Sequence, residues 1–254
     1  MNGISKNWLN KARIWIEDYL NYCNYSIEEK KTLEYIKKLM DNHSIIFYRK
    51  KTYQIRKFLL FLKKDWAKDI QPPAEPIKNP KRISINEIKN SLDYFRYDIY
   101  FKQIRAIILL GSNSGMRALE LYQLKREDID LDNRIVHVNH NPENGQSTKT
   151  KRSRISFFNI ETQSALKEYF DYFNNGNNLK ILFSKTHMER LFSKAPIRVK
   201  ELRKFFSQEW DRNGGATSIK KILMGHSLKG DVDLMHYNFQ SEDDLKNIYD
   251  KIIS

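Results

Sequence analysis

Cysteine is nearly absent from this chain, and its scarcity limits the chemistry that the protein can carry. The 254 residues include one cysteine, Cys23, which cannot form an internal disulfide or a thiolate metal cluster. We expect Cys23 to be a packing residue. No apolar run approaches the roughly 18 residues that a membrane span needs, and residues 1–10 lack the pattern of a secretory signal. The sequence therefore predicts a soluble cytoplasmic protein without a membrane partner.

Acidic residues are also few relative to basic ones. The chain has 31 Asp and Glu against 45 Lys and Arg, a formal net charge of +14. Basic residues occur along the whole chain, so a large polyanion is the expected partner. Composition alone also allows the less favoured alternatives of a lysine-rich solubilising surface and of an RNA-binding or ribosome-associated protein.

Several motifs of nucleotide and metal chemistry are missing. The sequence has no glycine-rich phosphate loop with a lysine, no paired acidic cluster for two magnesium ions and no zinc-finger spacing. His137 and His140 lie near a predicted strand end without carboxylates or thiols at ligand spacing. We therefore expect neither a metal nor an organic cofactor, which disfavours ATP-driven and metal-dependent nuclease chemistry.

Proline is scarce, and its placement divides the chain. Four of the six prolines fall within residues 71–80, where no helical period is found, and this is typical of an extended linker. We predict a first domain over residues 1–72, a linker over 73–82 and a second domain over 83–254. Ser84, followed three residues later by Glu87, predicts the capped helix that opens the second domain.

The first domain has apolar residues at helical spacing, which predict about four helices between Trp8 and Lys68. The helix faces predicted to be exposed carry many basic residues: Lys30, Lys31, Lys37, Lys38, Arg49, Lys50, Lys51, Arg56, Lys57, Lys63 and Lys64. Together they are numerous enough to follow the phosphates of a duplex. Any one of them is as readily explained as an ordinary solvated residue.

The second domain is predicted to be mainly α with a small antiparallel β-sheet, an α+β arrangement. Residues 100–110 predict an apolar helix that ends in a turn over residues 111–115. Residues 134–138 and 154–157 alternate like strands, and Asn144-Gly145 between them indicates a hairpin with a long loop. After Ile160 the pattern is again helical.

Candidate chemistry begins with two segments in the first half of this domain. Arg117, in the segment Gly115-Met116-Arg117, starts a predicted helix, and Glu120 one turn on can hold its side chain. A guanidinium suits a phosphodiester, whose negative charge grows toward the transition state. The hairpin end, residues 147–155, carries Lys149 and Lys151, either of which can donate a proton to a leaving oxygen.

Two further candidate segments lie in the second half. Lys200 and Arg203 share one helix face, while Val199, Leu202 and Phe206 of the same helix can face the core. Leu223-Met224-Gly225-His226 is then followed by Met235-His236-Tyr237. A phenol has a pKa near 10, so Tyr237 needs neighbouring cations to act as a nucleophile. Tyr249 is a weaker candidate, better explained by core packing.

These four segments, in this order, resemble the active-site segments of the tyrosine recombinases, or integrases, over about residues 85–252. The resemblance implies Arg117 and Arg203 as the catalytic arginines, Lys149 as the general acid, His226 as a hydrogen-bond donor to phosphate and Tyr237 as the nucleophile. Lys200 stands where the family has histidine, so we expect it to bind phosphate rather than act as a base. In having a lysine at this position, the sequence resembles integrases encoded by archaeal viruses and plasmids.

The resemblance implies a basic N-terminal domain that clamps double-stranded DNA, and a catalytic domain that exchanges strands through a 3′-phosphotyrosine link. It also implies a synaptic tetramer, no metal or cofactor and association with the nucleoid. A relaxing topoisomerase and a DNA-binding protein that has lost catalysis remain alternatives. The last helix, predicted over Glu242–Ile252, is expected to pack on a neighbouring subunit or on its own domain.

Overall fold

The computed structural model describes residues 6–77, 79–173, 181–227 and 240–253, with only the backbone of residue 173. The chain divides into two compact units, Met1–Pro80 and Lys81–Ser254. The predicted class, mainly helical with a small antiparallel sheet, is confirmed. Within the described ranges, no helix is long and apolar enough to cross a membrane.

The described residues of the first unit, 6–77 and 79–80, form three α-helices and one short 3₁₀ helix. They are α1 (Lys6–Tyr22), α2 (Glu29–Asn42), α3 (Ile45–Phe61) and the 3₁₀ helix Asp65–Lys68. The prediction of about four helices is met only if the single 3₁₀ turn is counted. Tyr19, Cys23, Ile55 and Leu59 are fully buried in one apolar cluster, which confirms Cys23 as a packing residue.

Lys51 corrects one detail of the predicted basic face. It was expected to be exposed, but only 4% of its surface is accessible. Its ammonium pairs with the carboxylate of Asp18 and lies over the rings of Tyr35 and Phe47. Helix α3 therefore turns Lys51 inward because these partners compensate its burial, whereas Lys50 and Lys57 on the same helix stay exposed.

The second unit contains the remaining described elements. Its helices are α4 (Ile85–Tyr94), α5 (Phe101–Ser114), α6 (Ala118–Tyr122), α7 (Ile160–Phe173), α8 (Lys185–Leu191), α9 (Val199–Arg212), α10 (Thr217–Met224) and α11 (Glu242–Ile252). Its strands are β1 (Ile129–Asp130), β2 (Ile135–Val138) and β3 (Arg154–Phe157). The predicted capping box at Ser84 and Glu87 is confirmed at the start of α4.

Helix α5 runs through the middle of this unit and is longer than its sequence predicts. The expected turn over residues 111–115 is wrong except at Gly115, which has a left-handed φ of 63° and ends the helix. Ser112 and Ser114 lie within the helix, and their buried hydroxyls are satisfied by donating to the carbonyls of Leu109 and Leu110.

Gly111 serves close packing inside helix α5 rather than a turn. A Cβ atom at this position would lie 2.7 Å from Cδ1 of Leu202 in α9. The missing side chain therefore lets α5 and α9 approach each other.

The sheet is antiparallel with strand order β1-β2-β3. Strand β3 has the predicted bounds, and Arg154 pairs with Val138 at the end of the ladder. Between β2 and β3 the chain forms a long hairpin containing a 3₁₀ turn, Pro142–Asn144, and a left-handed Gly145. The two-residue strand β1 was not predicted, since so short an element has no periodic pattern.

Helix α11 packs on its own unit, one of the two arrangements expected for it. Leu245 and Tyr249 are buried with Phe157 and Trp210. At the helix surface, Arg134 donates to both oxygens of Asp250 at 3.0 and 2.6 Å. Its apolar face is thus already covered within the chain.

The packing of α9 on α5 predicts that two leucines of this unit contribute very differently to its free energy of unfolding. Leu202 is fully buried and Leu119 is 47% exposed. We expect Leu202→Ala to lower the free energy of unfolding of this unit by about 2–5 kcal/mol through lost burial and a cavity. Leu119→Ala, the matched control, should change it by less than about 0.5 kcal/mol.

The measurement is urea unfolding of the full chain, monitored through the fluorescence of Trp210. The tryptophans at positions 8, 15 and 66 are replaced by phenylalanine so that Trp210 alone gives the signal. Trp210 is buried in the second unit and so reports on it. Equal effects of the two substitutions would contradict the described packing.

Candidate active site

The Arg117 segment is held by a tight turn between α5 and α6. Arg117 lies just before α6 with extended backbone angles, φ −74° and ψ 150°. Glu120, in the first turn of α6, accepts from the Arg117 backbone N–H at 2.8 Å and from its Nη1 at 2.9 Å. The expected contact between these two side chains is confirmed. The carboxylate thus fixes both the backbone and the guanidinium of Arg117.

Arg203 is brought to the same turn by helix α9. Val199, Leu202 and Phe206 of α9 are buried, as predicted. Arg203 lies beside this buried stripe, one turn after Val199, and its Nη1 donates to the carbonyl of Gly115 at 2.7 Å. A Cβ atom at position 115 would lie 2.5 Å from the ring of Phe206, so only glycine fits this turn.

The charge of Arg117 acts on Arg203. The pKa of Arg203 is lowered to about 10, chiefly by burial and then by the charges of Arg117 and Arg154, which Glu120 opposes. This pKa lies well above 7, so Arg203 remains a cation at neutral pH. The guanidinium groups of Arg117 and Arg203 repel each other. They stay close together because the Glu120 carboxylate and two backbone carbonyls hold them.

A third arginine, Arg154 of β3, completes the cluster. Its Nη1 and Nη2 donate to the two oxygens of Glu120 at 3.2 and 2.7 Å, and its Nε donates to the carbonyl of Leu223 at 2.8 Å. The Glu120 side chain is 2% exposed and that of Arg154 is 9% exposed. Glu120 therefore binds two arginines at once in a largely dehydrated setting.

Glu120 is ionised at neutral pH despite its burial. Burial by itself raises the pKa of this carboxyl, but the hydrogen bonds and charges of Arg154 and Arg117 outweigh it, and the pKa is lowered. Three guanidinium groups thus face one carboxylate among the described side chains of the cluster. The excess positive charge suits an anionic ligand.

His226 follows the C-terminus of α10 beside this cluster. Gly225 ends the helix with a left-handed φ of 63°, and its carbonyl accepts from Nη2 of Arg117 at 3.1 Å. Burial lowers the pKa of the His226 imidazole, and the charges of Arg203, Arg117, Lys220 and Arg154 lower it further. An imidazole with a pKa below 6.5 is neutral at pH 7, where it can donate one hydrogen bond.

The lysine hairpin is anchored at its base, while its tip is exposed. Gln146 is buried and donates to Asp128 at 2.7 Å, and the N–H of Ser147 donates to Gln123 at 2.8 Å. Lys149 and Lys151 are exposed beyond this anchor. Within the described contacts, neither lysine reaches Arg117 or Arg203, so the choice between them as general acid stays a prediction.

Lys200 is the second residue of α9 and lies one turn before Arg203. It is exposed and lines a surface cavity of about 360 Å³ together with Ala118, Tyr122 and Arg198. An exposed ammonium beside the arginine turn fits the expected phosphate contact better than a proton-transferring role.

The candidate nucleophile, Tyr237, lies outside the described residues, as does His236. The weaker candidate, Tyr249, is fully buried on α11, and its hydroxyl donates to the carbonyl of Asn113 at 2.9 Å. Burial raises the pKa of Tyr249 well above 10, and the nearby charge of Asp250 adds to the effect. The interpretation of Tyr249 as a core residue is confirmed.

The histidines considered as metal ligands have other surroundings. His140 Nδ1 accepts from the backbone N–H of Thr148 at 3.1 Å, and His137 is exposed on β2. Over the ranges that the structure describes, no cluster of three or more histidine, cysteine and acidic side chains is suited to hold a metal ion.

Arg154 is the member of the cluster that the candidate residues omitted. The sequence placed it at the start of a strand and in the basic hairpin segment, both of which commonly carry solvated arginines. No local signal marked it as buried: the structure shows that residues 154 and 156 share one face of β3 and that Ser156 on this face is fully buried. An arginine on a buried face needs an anionic partner, and Glu120 is that partner.

The chain is similar in sequence to known proteins. The sequence model described as the phage integrase family matches residues 81–238. The tyrosine recombinase XerC of Neisseria meningitidis serogroup C is 26% identical over 168 residues, which cover 65% of this chain and 50% of XerC. The tyrosine recombinase XerA of Saccharolobus solfataricus is 26% identical over 214 residues, covering 81% of this chain and 70% of XerA. The match to XerC thus spans only half of that relative's length.

Solved structures share the fold. An integrase of the transposon Tn1549, in complex with circular intermediate DNA, has a TM-score of 0.64 at 16% identity, covering 97% of this chain and 94% of that one. A lambda integrase dimer bound to a core site has a TM-score of 0.66 at 13% identity, covering 94% and 93%. The resemblance of Lys200 to integrases of archaeal viruses and plasmids stays a prediction.

The buried carboxylate yields a pH-dependent prediction. At pH 7 we expect Glu120→Gln to lower the free energy of unfolding of this unit by about 3–5 kcal/mol, because it leaves Arg154 and the half-buried Arg117 without their anion. The folded pKa of Glu120 lies below its unfolded value of about 4.3. The wild-type advantage is therefore complete above that pH and is lost as the pH falls through the lower folded pKa.

The free energies of unfolding of wild type and Glu120→Gln are compared by urea unfolding at pH 7 and at pH 3, again monitored through Trp210 fluorescence. Glu168→Gln is the control, because Glu168 also binds an arginine, Arg105, but its side chain is 48% exposed. Glu168→Gln should lower the free energy of unfolding by less than about 1 kcal/mol. If Glu120→Gln lowers it by no more than this control, or by more at pH 3 than at pH 7, Glu120 is not an ionised partner of the two arginines.

Proposed function

The chain belongs to the phage integrase family, and on that premise we propose that it breaks and rejoins DNA strands through a covalent 3′-phosphotyrosine link at Tyr237. Double-stranded DNA is the substrate, and a synaptic tetramer on two duplexes is the proposed assembly. The single observation that carries the proposal is the cluster in which Glu120 and backbone carbonyls hold Arg117 and Arg203 together.

The charge of this cluster matches the needs of phosphoryl transfer. A phosphodiester gains negative charge at its non-bridging oxygens as a fifth oxygen approaches phosphorus. Two guanidinium groups fixed in advance stabilise that charge without having to reorganise. The exposed His226, neutral at pH 7, is suited to donate a further hydrogen bond to such an oxygen.

The proposed reaction conserves bonds at each step. The Tyr237 hydroxyl gives its proton to solvent and its oxygen attacks phosphorus, while the bond from phosphorus to the 5′ oxygen breaks and that oxygen takes a proton from Lys149, or from Lys151. The 5′ hydroxyl of another strand then returns a proton to that lysine and attacks the phosphotyrosine, and the Tyr237 oxygen leaves and takes a proton from solvent. Because the phosphotyrosine keeps the energy of the phosphodiester, the exchange needs no nucleotide. Lys200 contributes a cation to the phosphate site.

The first unit is proposed to clamp the duplex, with residues 1–72 as its domain and residues 73–82 as the linker to the catalytic domain at 83–254. The exposed lysines Lys37, Lys38, Lys50 and Lys57 on α2 and α3 support this role, because their charges suit a phosphate backbone. This use of the first unit is consistent with the net charge of +14.

The test is formation of a covalent adduct. Purified chain is mixed with a library of nicked duplexes without divalent metal, and the products are separated on a denaturing gel. Wild type is expected to give a protein–DNA band, and Tyr237→Phe should abolish it because the attacking oxygen is removed. Tyr249→Phe is the control and should keep the band, since Tyr249 is buried in the core.

An adduct that persists in Tyr237→Phe would refute the assignment of the nucleophile. Binding of DNA by wild type without an adduct on any duplex would instead favour a DNA-binding protein that has lost catalysis. A band that required added metal would contradict the proposed chemistry.

A further inference from the structure

None of the roles proposed above falls on Arg154, although its guanidinium binds both Glu120 and the carbonyl of Leu223. We propose that Arg154 is a positioning residue, whose guanidinium holds the Arg117 turn and the Gly225-His226 turn in one fixed arrangement through Glu120 and the carbonyl of Leu223. The inference rests on the proposed strand-transfer function. Its observable consequences include one that does not depend on that function.

The hydrogen bonds of Arg154 point in two directions from one rigid group. Its two terminal nitrogens donate to the two oxygens of Glu120, at 3.2 and 2.7 Å, and its Nε donates to the carbonyl of Leu223 at 2.8 Å. The guanidinium is planar, so these three bonds cannot adjust independently. Glu120 and the end of α10 are therefore fixed relative to each other.

Each of these two contacts leads on to a proposed catalytic group. Glu120 holds the backbone and side chain of Arg117. Leu223 lies two residues before Gly225, whose carbonyl accepts from Arg117 at 3.1 Å and whose chain continues to His226. Arg154 thus acts on Arg117 from one side and on the histidine turn from the other.

Gly225 shows how closely this turn fits the arginine. A Cβ atom at position 225 would lie 2.8 Å from Cδ and 2.9 Å from Nε of Arg154. The backbone here also has a φ of 63°. The turn that presents His226 therefore packs directly against the Arg154 side chain, which leaves no room for a larger residue.

The lysine hairpin is tied to the same side chain. Arg154 is the residue at which the hairpin re-enters the sheet, paired with Val138. Lys149 and Lys151 precede it by only a few residues. The segments that carry the proposed arginine, lysine and histidine therefore meet at Arg154, and a loss of its contacts should misplace catalytic groups without removing them.

A matched pair elsewhere in the same unit separates positioning from simple stabilisation. Nη1 of Arg105 donates to both oxygens of Glu168 at 3.0 and 2.9 Å, a contact made through one nitrogen where Arg154 uses two. This pair links α5 to α7, and none of its described contacts involves Arg117, Arg203 or His226. Arg105→Met is therefore the control for Arg154→Met, and Arg154→Lys tests whether charge alone suffices.

The first measurement is the single-turnover rate of adduct formation, together with DNA affinity. We expect Arg154→Met to slow cleavage by about 100-fold, the effect typical of a small misplacement of reacting groups. DNA affinity should change less than about threefold, because the Arg154 side chain is only 9% exposed and its guanidinium is engaged by Glu120 and Leu223. Arg154→Lys should restore only part of the rate, since a lysine cannot make the bidentate bond. Arg105→Met should cleave at the wild-type rate.

A double-mutant cycle then asks whether Arg154 acts through Arg117. In an Arg117→Lys background, Arg154→Met should slow cleavage by less than about threefold further, because residues that act through one another are not additive. If the two substitutions slow cleavage by factors that simply multiply, the proposal is overturned. The same holds if Arg105→Met slows cleavage as much as Arg154→Met, because the role of Arg154 is then a general structural one.

The readout independent of activity is the pKa of His226, followed by NMR on the full chain. This pKa is lowered by burial first and then by Arg203, Arg117, Lys220 and Arg154. Arg154→Met should raise it, since one cation is removed and the turn is released, while Arg105→Met should leave it unchanged. If wild type forms no adduct, the proposed function fails, and the NMR comparison still decides this inference. An unchanged pKa of His226 in Arg154→Met would refute it.

Discussion

The carboxylate of Glu120, bound to Arg117 and Arg154 at once, is the interaction on which the site depends. Without an anion, three neighbouring guanidinium groups would repel one another in a poorly hydrated place. With a single anion they stay together and keep an excess of positive charge. The same carboxylate would be costly to bury without its arginines. The excess charge that remains is the property by which the cluster can hold a phosphodiester.

The fold supplies this arrangement from chain segments far apart in sequence. Helix α5 ends at Gly115, whose left-handed backbone starts the Arg117 turn and whose carbonyl receives Arg203 from α9. Helix α10 ends at Gly225, which makes room for Arg154 of β3. Both glycines lie where a positive φ and close packing coincide, so their role is geometric. The buried faces of α5 and α9 then fix how far apart the arginines can move.

Local patterns in the sequence predicted much of the fold, and the predictions that were wrong share one cause. The capping box at Ser84 and the bounds of β3 follow from short-range rules and are confirmed. The turn over residues 111–115 was wrong because Gly111 serves a contact with Leu202, and the exposure of Lys51 was wrong because Asp18 lies across the bundle. Arg154 was overlooked for the same reason. Contacts between distant segments have no signal in a local pattern, whereas Arg117 and Arg203 stood out by their motifs.

The most direct test of this account is a crystal structure of the chain bound to a duplex that it recognises. The account predicts that Arg117 and Arg203 donate to non-bridging oxygens of one phosphate, with His226 beside it, while Glu120 keeps its bonds to Arg117 and Arg154. A phosphate bound away from both arginines, or a Glu120 side chain released from Arg154 in the complex, would contradict it.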